Sequence, residues 1–328
     1  MPQPTSSMVH VNRPLTNISV AYMQAAVNFI ADRVFPIVPV AKQSDRYFKY
    51  ARDDWYRDEA KVRAPASESA GSGFEIDNTP TYFCPVTAFH KDVDDQLRAN
   101  ADPPIDPDRD ATQFVSQKLL LKREVDWAGA FFAASVWAGS TTAADLVGGV
   151  DFVQWGDNDS TPIEDISAQI IHVASKTGFK PNKFVCSPKV MNALKQHPSI
   201  LDRVKYTQKG VVTADLIAGL LGVEEVLEAW GVKNSAAENG TESTDFIVGA
   251  NAMLCYAAPS PSILAPSAGY TFTWTGLLGS GAYGNLIKKF RREELEADRI
   301  EGEMAYDHVV VASELGVYFS GAFSAFSD

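Results

Sequence analysis

The sequence has little of what marks a membrane, disulfide-rich or metal-binding protein. Its 328 residues contain no run of about 18 apolar residues, so we expect no membrane span. The three cysteines, Cys84, Cys186 and Cys255, are odd in number, lie far apart and form no CxxC pair. This pattern predicts buried thiols in a reducing compartment rather than disulfides or zinc ligands.

Local signatures of catalysis are also scarce. The five histidines (His10, His90, His172, His197 and His308) show neither HxxxH nor HExxH spacing, and neither GxSxG nor a P-loop occurs. The acidic stretches KDVDDQL and IDPDRD lack the spacing and the final Glu of an EF-hand. We therefore expect no catalytic residue, no cofactor and no metal site.

One glycine pattern has two interpretations, a nucleotide-binding motif and a glycine-rich turn. Gly279, Gly281 and Gly284 fit GxGxxG, which in a Rossmann fold joins a strand to a helix that faces a pyrophosphate. The match lies near the end of the sequence, which leaves too few residues for the remaining βαβ units. A glycine-rich turn is the better interpretation, and a dinucleotide-binding enzyme remains the remote alternative.

Basic charge is in deficit. The chain has 29 Lys and Arg residues against 41 Asp and Glu, which gives a formal charge of -12. This balance disfavours tight binding to nucleic acid phosphates. The start, MPQPTSSMVHVNRP, lacks the basic and apolar regions of a signal peptide and resembles a polar arm.

Residues 1–40 predict an extended N-terminal arm that is useful only against another surface. One short helix is expected in AYMQAAVNFIADRVFP, through Tyr22, Ala26, Phe29 and Val34, ending before Pro36. IVPV cannot lie in a central strand because proline offers no donor to the ladder.

A long hairpin is predicted next. Residues 45–57 and 74–89 are rich in strand-forming residues, and the small residues of APASESAGSG separate them. A two-stranded hairpin is marginal alone in water. We therefore expect contact with another surface to order it.

The strongest predicted helix spans residues 111–138 and follows the linker DPPIDPDRD. Asp110 is the expected cap, Gln113 its capping-box partner and Gly139 the stop. The expected apolar stripe consists of Phe114, Leu121, Val125, Ala128, Phe132 and Val136.

The remaining sequence predicts helices and strands in irregular alternation. Expected helices begin at Thr161, with Pro162 and Glu164 in a capping box, at Ser187, and in TADLIAGLLG. Expected strands are KFVCS, VEEVLEAW, FIVGANAMLCYA, YTFTW, LIKKF and HVVVASELGVYF. The fold class is α+β with a mixed sheet.

This succession resembles the tailed-bacteriophage major capsid proteins of the Hong Kong 97-type fold. RYFKYARDDWYRDEAKVRAPASESAGSGFE resembles their E-loop, DPDRDATQFVSQKLLLKREVDWAGAFF their spine helix, and KFVCSPKVMNALKQHP with VVTADLIAGLLGVEEVLEAWGVKN their A-domain. The resemblance implies an N-arm at 1–40, an E-loop at 41–89, a P-domain at 90–160, an A-domain at 161–265 and closing strands at 266–328.

The resemblance implies a structural protein rather than an enzyme. Copies would form hexamers and pentamers of an icosahedral head around double-stranded DNA, which they would not bind by sequence. Expected partners are the chain itself, a portal, a separate scaffold and a cement protein, but no membrane. The expected location is the virion, with assembly in the host cytoplasm. An encapsulin-like nanocompartment shell is the same-fold alternative, although the polar, proline-containing start favours the phage protein.

The E-loop is the expected inter-subunit contact. Between Asp45 and Ala64 lie six basic and five acidic residues, which suits pairing with a neighbouring copy. Nothing marks an Asn partner for a covalent crosslink to Lys42, Lys49 or Lys61, so a noncovalent shell is expected. The predicted contact residues are Arg46, Tyr47, Phe48, Lys49, Tyr50, Arg52, Trp55, Tyr56, Arg57, Lys61, Arg63 and Glu68.

Overall fold

The computed structural model describes residues 23–101, 105–142, 145–205, 212–238, 240–262, 265–278 and 286–324. The helices in these ranges are α1 (Ala31–Val34), α2 (Arg52–Trp55), α3 (Asp95–Asn100), α4 (Pro107–Phe131), α5 (Pro162–Thr177), α6 (Pro188–Gln196), α7 (Pro198–Val204), α8 (Ala214–Leu221) and α9 (Thr275–Leu278). The strands are β1 (Ile37–Val40), β2 (Ser44–Arg46), β3 (Lys49–Tyr50), β4 (Ile76–Asp77), β5 (Thr81–Phe83), β6 (Val86–Asp94), β7 (Leu146–Val147), β8 (Lys183–Cys186), β9 (Glu225–Glu228), β10 (Val232–Asn234), β11 (Thr244–Phe246), β12 (Ala252–Cys255), β13 (Gly269–Trp274), β14 (Leu286–Arg292), β15 (Ala297–Val310) and β16 (Gly316–Ser320).

The first sheet has the strand order β7–β16–β12–β8–β9 and mixes both pairing directions. Strand β12 is antiparallel to β16 and β8, whereas β9 is parallel to β8 and β7 to β16. Helices α5 to α8 contribute side chains to the same core as this sheet, around the fully buried Trp155, Phe184 and Phe319. The mixed sheet with helices confirms the α+β prediction.

The second sheet is organised by the long strand β15. Strands β13 and β14 pair with it along one edge and β6 along the other, all antiparallel. Helix α4 packs across β6 and β15. A side chain at Gly302 would place its Cβ 2.5 Å from Leu119 and 2.8 Å from Val115, so this glycine permits the close approach. Strand β1, with Pro39, is at the sheet edge, as the sequence predicts.

The long helix exists, but its predicted bounds of 111–138 are wrong. Pro107 takes the first position, and the Asp106 side chain accepts hydrogen bonds from two amides of the first turn at 3.2 Å, so Asp106 replaces Asp110 as cap. The helix ends at Phe131, well before Gly139. There the chain turns back, and the Trp137 indole donates to the Phe131 carbonyl at 2.8 Å.

The predicted stripe of this helix is also displaced. Phe114 is 43% exposed, and Val136 lies beyond the helix. The buried face consists of Ala111, Val115, Leu119, Arg123, Glu124, Trp127, Ala128 and Phe131. Two charged residues in this face interrupt the apolar pattern, which explains why periodicity alone selects the wrong stripe.

The N-terminal segment, defined here as Met23–Phe35, is not the free arm that the sequence predicts. A single turn of 3-10 helix at Ala26–Asn28 and the short α1 replace the expected helix. Phe29, Val34 and Phe35 are at most 2% exposed. Val34 and Phe35 belong to a core cluster that includes side chains of α4 and the first sheet. This part of residues 1–40 is therefore integral to the subunit.

Several local predictions are confirmed. The side chains of Ser187 and Thr213 cap α6 and α8, and Gly178 ends α5 with a φ of 72°. The capping box at Thr161 is wrong, because its hydroxyl donates to the carboxylate of Asp165 and caps no amide.

The structure describes the three cysteines but not the glycines of the GxGxxG motif. All three cysteines are free and buried, and burial raises the pKa of Cys84 and Cys255 to about 12. Gly279, Gly281 and Gly284 lie outside the described residues. Within the described ranges, no helix combines the length and apolarity of a membrane span, and no His, Cys, Asp and Glu cluster could hold a metal ion.

Candidate inter-subunit surface

The hairpin, defined here as residues 44–83, is present with shorter ladders than predicted. Strand β2 pairs with β5, and β3 pairs with β4, both antiparallel. The strands predicted at 45–57 and 74–89 are therefore wrong in extent. Helix α2 interrupts the first, and residues 86–89 belong to β6, which pairs with β15 in the second sheet.

The root of the hairpin, residues 44–56 and 76–83, is docked on its own subunit. Tyr47 and Tyr82 stack on Phe272, with ring centroids 5.8 and 4.6 Å apart. The Tyr56 hydroxyl donates to the carbonyl of Thr177. These contacts place the root without any partner molecule, contrary to the expectation that the whole hairpin depends on one.

Aromatic side chains remain exposed above this docked root. Trp55 and Phe74 lie 5.6 Å apart between ring centroids, and both pack against Tyr50. The exposed fractions are 55% for Trp55, 57% for Phe74 and 64% for Phe48. A cluster of large apolar side chains left half in water is typical of a surface that another molecule covers.

The charged side chains of the hairpin form weak ion pairs, mostly with other residues of the hairpin. Arg57 lies 3.5 Å from Asp54 and 3.9 Å from Glu59, while Arg52 reaches Glu314 on the body at 3.4 Å. Such solvent-exposed pairs contribute about 0–1 kcal/mol each. Their partners can therefore be exchanged at little cost when another surface approaches.

The twelve predicted contact residues separate into two groups by exposure. Partly buried are Tyr47, Tyr50 and Arg52. Exposed are Arg46, Phe48, Lys49, Trp55, Tyr56, Arg57, Lys61, Arg63 and Glu68. The structure brings the aromatic members of both groups together at the root, whereas Lys61, Arg63 and Glu68 lie on the tip, residues 57–75.

An open cavity of about 1080 Å³ separates the hairpin from the body. Its lining includes aromatic residues from both sides, among them Tyr47, Tyr50 and Tyr56 from the hairpin and Phe179 and Phe272 from the body. The root is therefore held at a few contacts rather than packed continuously against the subunit.

Sequence reasoning missed one buried ionisable group away from the hairpin contacts, the carboxyl of Glu124. It lies on α4, is 1% exposed and accepts hydrogen bonds from the Ile30 and Ala31 amides of the N-terminal segment. Burial raises its pKa to about 7, and the hydrogen bonds from the Ala31 and Ile30 amides and the charge of Arg123 lower it only in part. A charged residue within KRE gives no local sign of such burial.

Comparisons with known proteins relate this architecture to phage shells. A family model described as phage major capsid protein E matches residues 153–258. The major capsid protein of Burkholderia phage BcepMu is 24% identical over 324 residues, which cover 95% of this chain and 96% of the relative. That of Pseudomonas phage JBD67 is also 24% identical, over 96% of this chain and 98% of the relative.

Solved structures show the same fold at lower identity. A phage-related protein from Bordetella bronchiseptica RB50 has a TM-score of 0.65 and 22% identity, over 90% of this chain and 92% of that one. The mature capsid of bacteriophage PhiM1 gives 0.60 and 12%, over 95% and 92%. The SrpI encapsulin from Synechococcus elongatus PCC 7942 gives 0.59 and 10%, over 100% and 99%.

The fold is therefore the Hong Kong 97-type capsid fold, which phage heads and encapsulins share. Within that class, the family model and both full-length relatives agree on one group. Over nearly its whole length the chain is similar to the major capsid proteins of phages.

Proposed function

We propose that this chain is the subunit of an icosahedral phage head, in which its copies form hexamers and pentamers around double-stranded DNA. The exposed aromatic cluster on the docked hairpin carries the proposal. The body of the subunit has two sheets with buried cores of its own. Copies of the same chain are the partners that a closed shell supplies to such a surface.

Burial of the aromatic cluster supplies the main driving force. Covering a large apolar side chain contributes about 1.5–3 kcal/mol. Phe48, Trp55 and Phe74 each have more than half of their surface available for this. The charges around them add specificity, because arginine can pair bidentately with carboxylates of a neighbour.

The acidic charge of the chain suits a container. A formal charge of -12 discourages condensation of the wall onto DNA phosphates, so packaged DNA would fill the shell without sequence-specific contact. The portal, a separate scaffold and a cement protein are further partners that this role implies. Assembly in the host cytoplasm and residence in the virion follow from the same role.

A structural role, without enzymatic activity, is part of the proposal. The remote alternative is dinucleotide binding at Gly279, Gly281 and Gly284. A thermal-shift titration with NAD or ATP tests it, since a tight ligand stabilises the folded state by mass action. We expect no change in Tm, and a saturable increase would favour the enzyme.

The direct test is electron microscopy of the protein and of the double variant Trp55→Ala/Phe74→Ala, each expressed together with the neighbouring phage genes so that a separate scaffold is supplied. We expect the wild type to form closed particles and the double variant to remain as folded, unassembled subunits. Ile171→Ala is the matched control, because Ile171 is 69% exposed on α5 and does not line the cavity under the hairpin. Normal particles from the double variant would contradict the assigned surface.

The encapsulin-like shell is the second candidate, because the SrpI encapsulin covers the whole chain at a TM-score of 0.59. The contents of the particles distinguish the two shells. Particles that form with the neighbouring phage genes and package DNA support the phage head. Particles that enclose an enzyme and exclude DNA would support the nanocompartment.

A further inference from the structure

The N-terminal segment is held by directional hydrogen bonds as well as by packing. The Glu124 Oε2 atom accepts from the amides of Ile30 at 3.1 Å and Ala31 at 2.9 Å, and Oε1 lies 3.2 Å from the Ile30 amide. Amides at the start of a helix have no acceptor within that helix. Glu124 therefore satisfies two buried donors that nothing in α1 can satisfy.

A second contact of the same kind lies nearer the start of the described chain. The Gln24 amide donates to the Val232 carbonyl at 2.7 Å, and its Oε1 accepts from the Val232 amide at 2.9 Å. One side chain thus satisfies both backbone groups of a residue in β10. It joins the segment to the β10–β11 hairpin, 208 residues away in sequence.

Apolar packing cannot fix this path alone. Phe29 and Phe35 are buried. Met23, which precedes Gln24, is 49% exposed, and Val27, which lies between the two hydrogen-bonded sites, is 69% exposed. Apolar burial is non-directional, whereas a hydrogen bond defines both distance and angle. The two polar contacts therefore determine where the segment runs.

We propose that Glu124 and Gln24 are positioning residues, which fix the path of the N-terminal segment and thereby the position of Met23 on the subunit. An effect of these residues on assembly rests on the proposed shell function, because the path of the segment would matter to a neighbouring copy in the shell. The anchoring itself is a property of the single subunit and can be measured without any shell.

The first measurement is hydrogen–deuterium exchange of the unassembled protein at a fixed pH of 7.5. In Glu124→Met, which retains the length but not the acceptor, we expect the Ile30 and Ala31 amides to exchange about tenfold faster or more, because an unsatisfied buried amide favours opening. Glu124→Gln keeps one acceptor oxygen and should restore most of the protection. A role in packing alone predicts that Met and Gln behave alike, and that result would overturn the proposal.

Gln113→Met is the matched control, because it places the same side chain on an exposed position of α4. It should leave both amides protected.

Should Glu124→Met not fold, Gln24→Leu provides the second variant. Its loss of two hydrogen bonds should increase exchange at the Val232 amide about tenfold, and unchanged exchange there would contradict the proposal.

The second measurement is particle formation by the same variants. We expect Glu124→Met to give few or misshapen particles and Glu124→Gln to approach the wild type. Absence of particles from the wild type itself would refute the shell function and leave the anchoring result standing. Normal particles from a Glu124→Met protein whose segment exchanges freely would refute the role of these residues in assembly.

Discussion

The N-terminal segment and the hairpin have similar sequences in one respect: both contain large aromatic side chains. In the structure they have opposite fates. Phe29, Val34 and Phe35 of the segment are buried in the subunit, whereas Phe48 and Trp55 of the hairpin are more than half exposed. The difference shows that the presence of large aromatic residues does not tell which parts of the chain its own body covers and which parts need another copy.

The distinction has a physical basis in the available partners. The segment packs against side chains of α4 and the first sheet. In addition, Glu124 accepts hydrogen bonds from the Ile30 and Ala31 amides at the start of α1. The hairpin meets the body only at its root, across a cavity of about 1080 Å³. The segment is thus predicted to stabilise the monomer and the hairpin the shell.

The largest expected effect on subunit stability comes from Phe35→Ala. Phe35 is 1% exposed, and its ring centroid lies 4.5 Å from that of Phe131. Truncation should lower the free energy of unfolding by about 3–5 kcal/mol, measured by urea denaturation. Phe48→Ala is the control and should change it by less than about 0.5 kcal/mol. Equal losses would remove the contrast between the two regions.

The next effect is a pH dependence centred on Glu124. Its pKa is about 7 in the folded protein against an ordinary value of 4.5, so the folded state binds the proton more tightly. The stabilisation is fully present below about pH 4.5 and is lost as the pH rises through about 7. Asp32 and Arg123 are the charged groups that face it.

Urea denaturation of the wild type and of Glu124→Gln between pH 4.5 and 8 checks this dependence. The stability difference should shift against the wild type by on the order of 3 kcal/mol across that range. Other titrating groups are common to both proteins and cancel. Parallel stability curves would show that the Glu124 carboxyl does not titrate differently on folding.

A smaller effect is expected from Tyr56→Phe, which removes the hydroxyl that donates to the Thr177 carbonyl. One hydrogen bond contributes about 1 kcal/mol, so the loss in stability should be of that order. Proteolysis within the hairpin should become faster in the unassembled subunit, while particles still form. Unchanged proteolysis would show that this contact does not hold the root.

The smallest effect on the folded subunit is expected from Arg52→Glu/Arg57→Glu. Arg52 is partly buried and Arg57 is exposed, and each makes an ion pair near the surface whose loss costs about 0–1 kcal/mol. Shell closure should nevertheless fail, because the reversal places negative charges against the carboxylates of a neighbour. Thermal unfolding and electron microscopy measure the two properties, and a double variant that forms normal particles contradicts the charge pairing.

The sequence predicts those elements whose signals are local. Helices α6 and α8 follow from Ser187 and Thr213 as caps before apolar periodic residues, and β8 and β12 follow from short apolar runs. The position of the hairpin also follows from its strand-forming residues and small-residue tip. The order of these elements is sufficient to predict the fold class.

The remaining features depend on contacts between distant residues. Tyr56 meets Thr177 across 121 residues, and Glu124 meets Ile30 across 94. Neither hydrophobic periodicity nor a capping residue in the sequence predicts either contact. The buried face of α4 escapes sequence reasoning for a related reason, since buried Arg123 and Glu124 break its apolar pattern.

Hydrogen–deuterium exchange of unassembled subunits and of assembled particles tests the central claim most directly. Residues 29–35 should be protected in both states, because their partners lie within the subunit. Residues 57–75, the tip of the hairpin, should exchange rapidly in the subunit and become protected in the particle. Full protection of residues 57–75 in a dilute monomer, with no further change on assembly, would contradict the account.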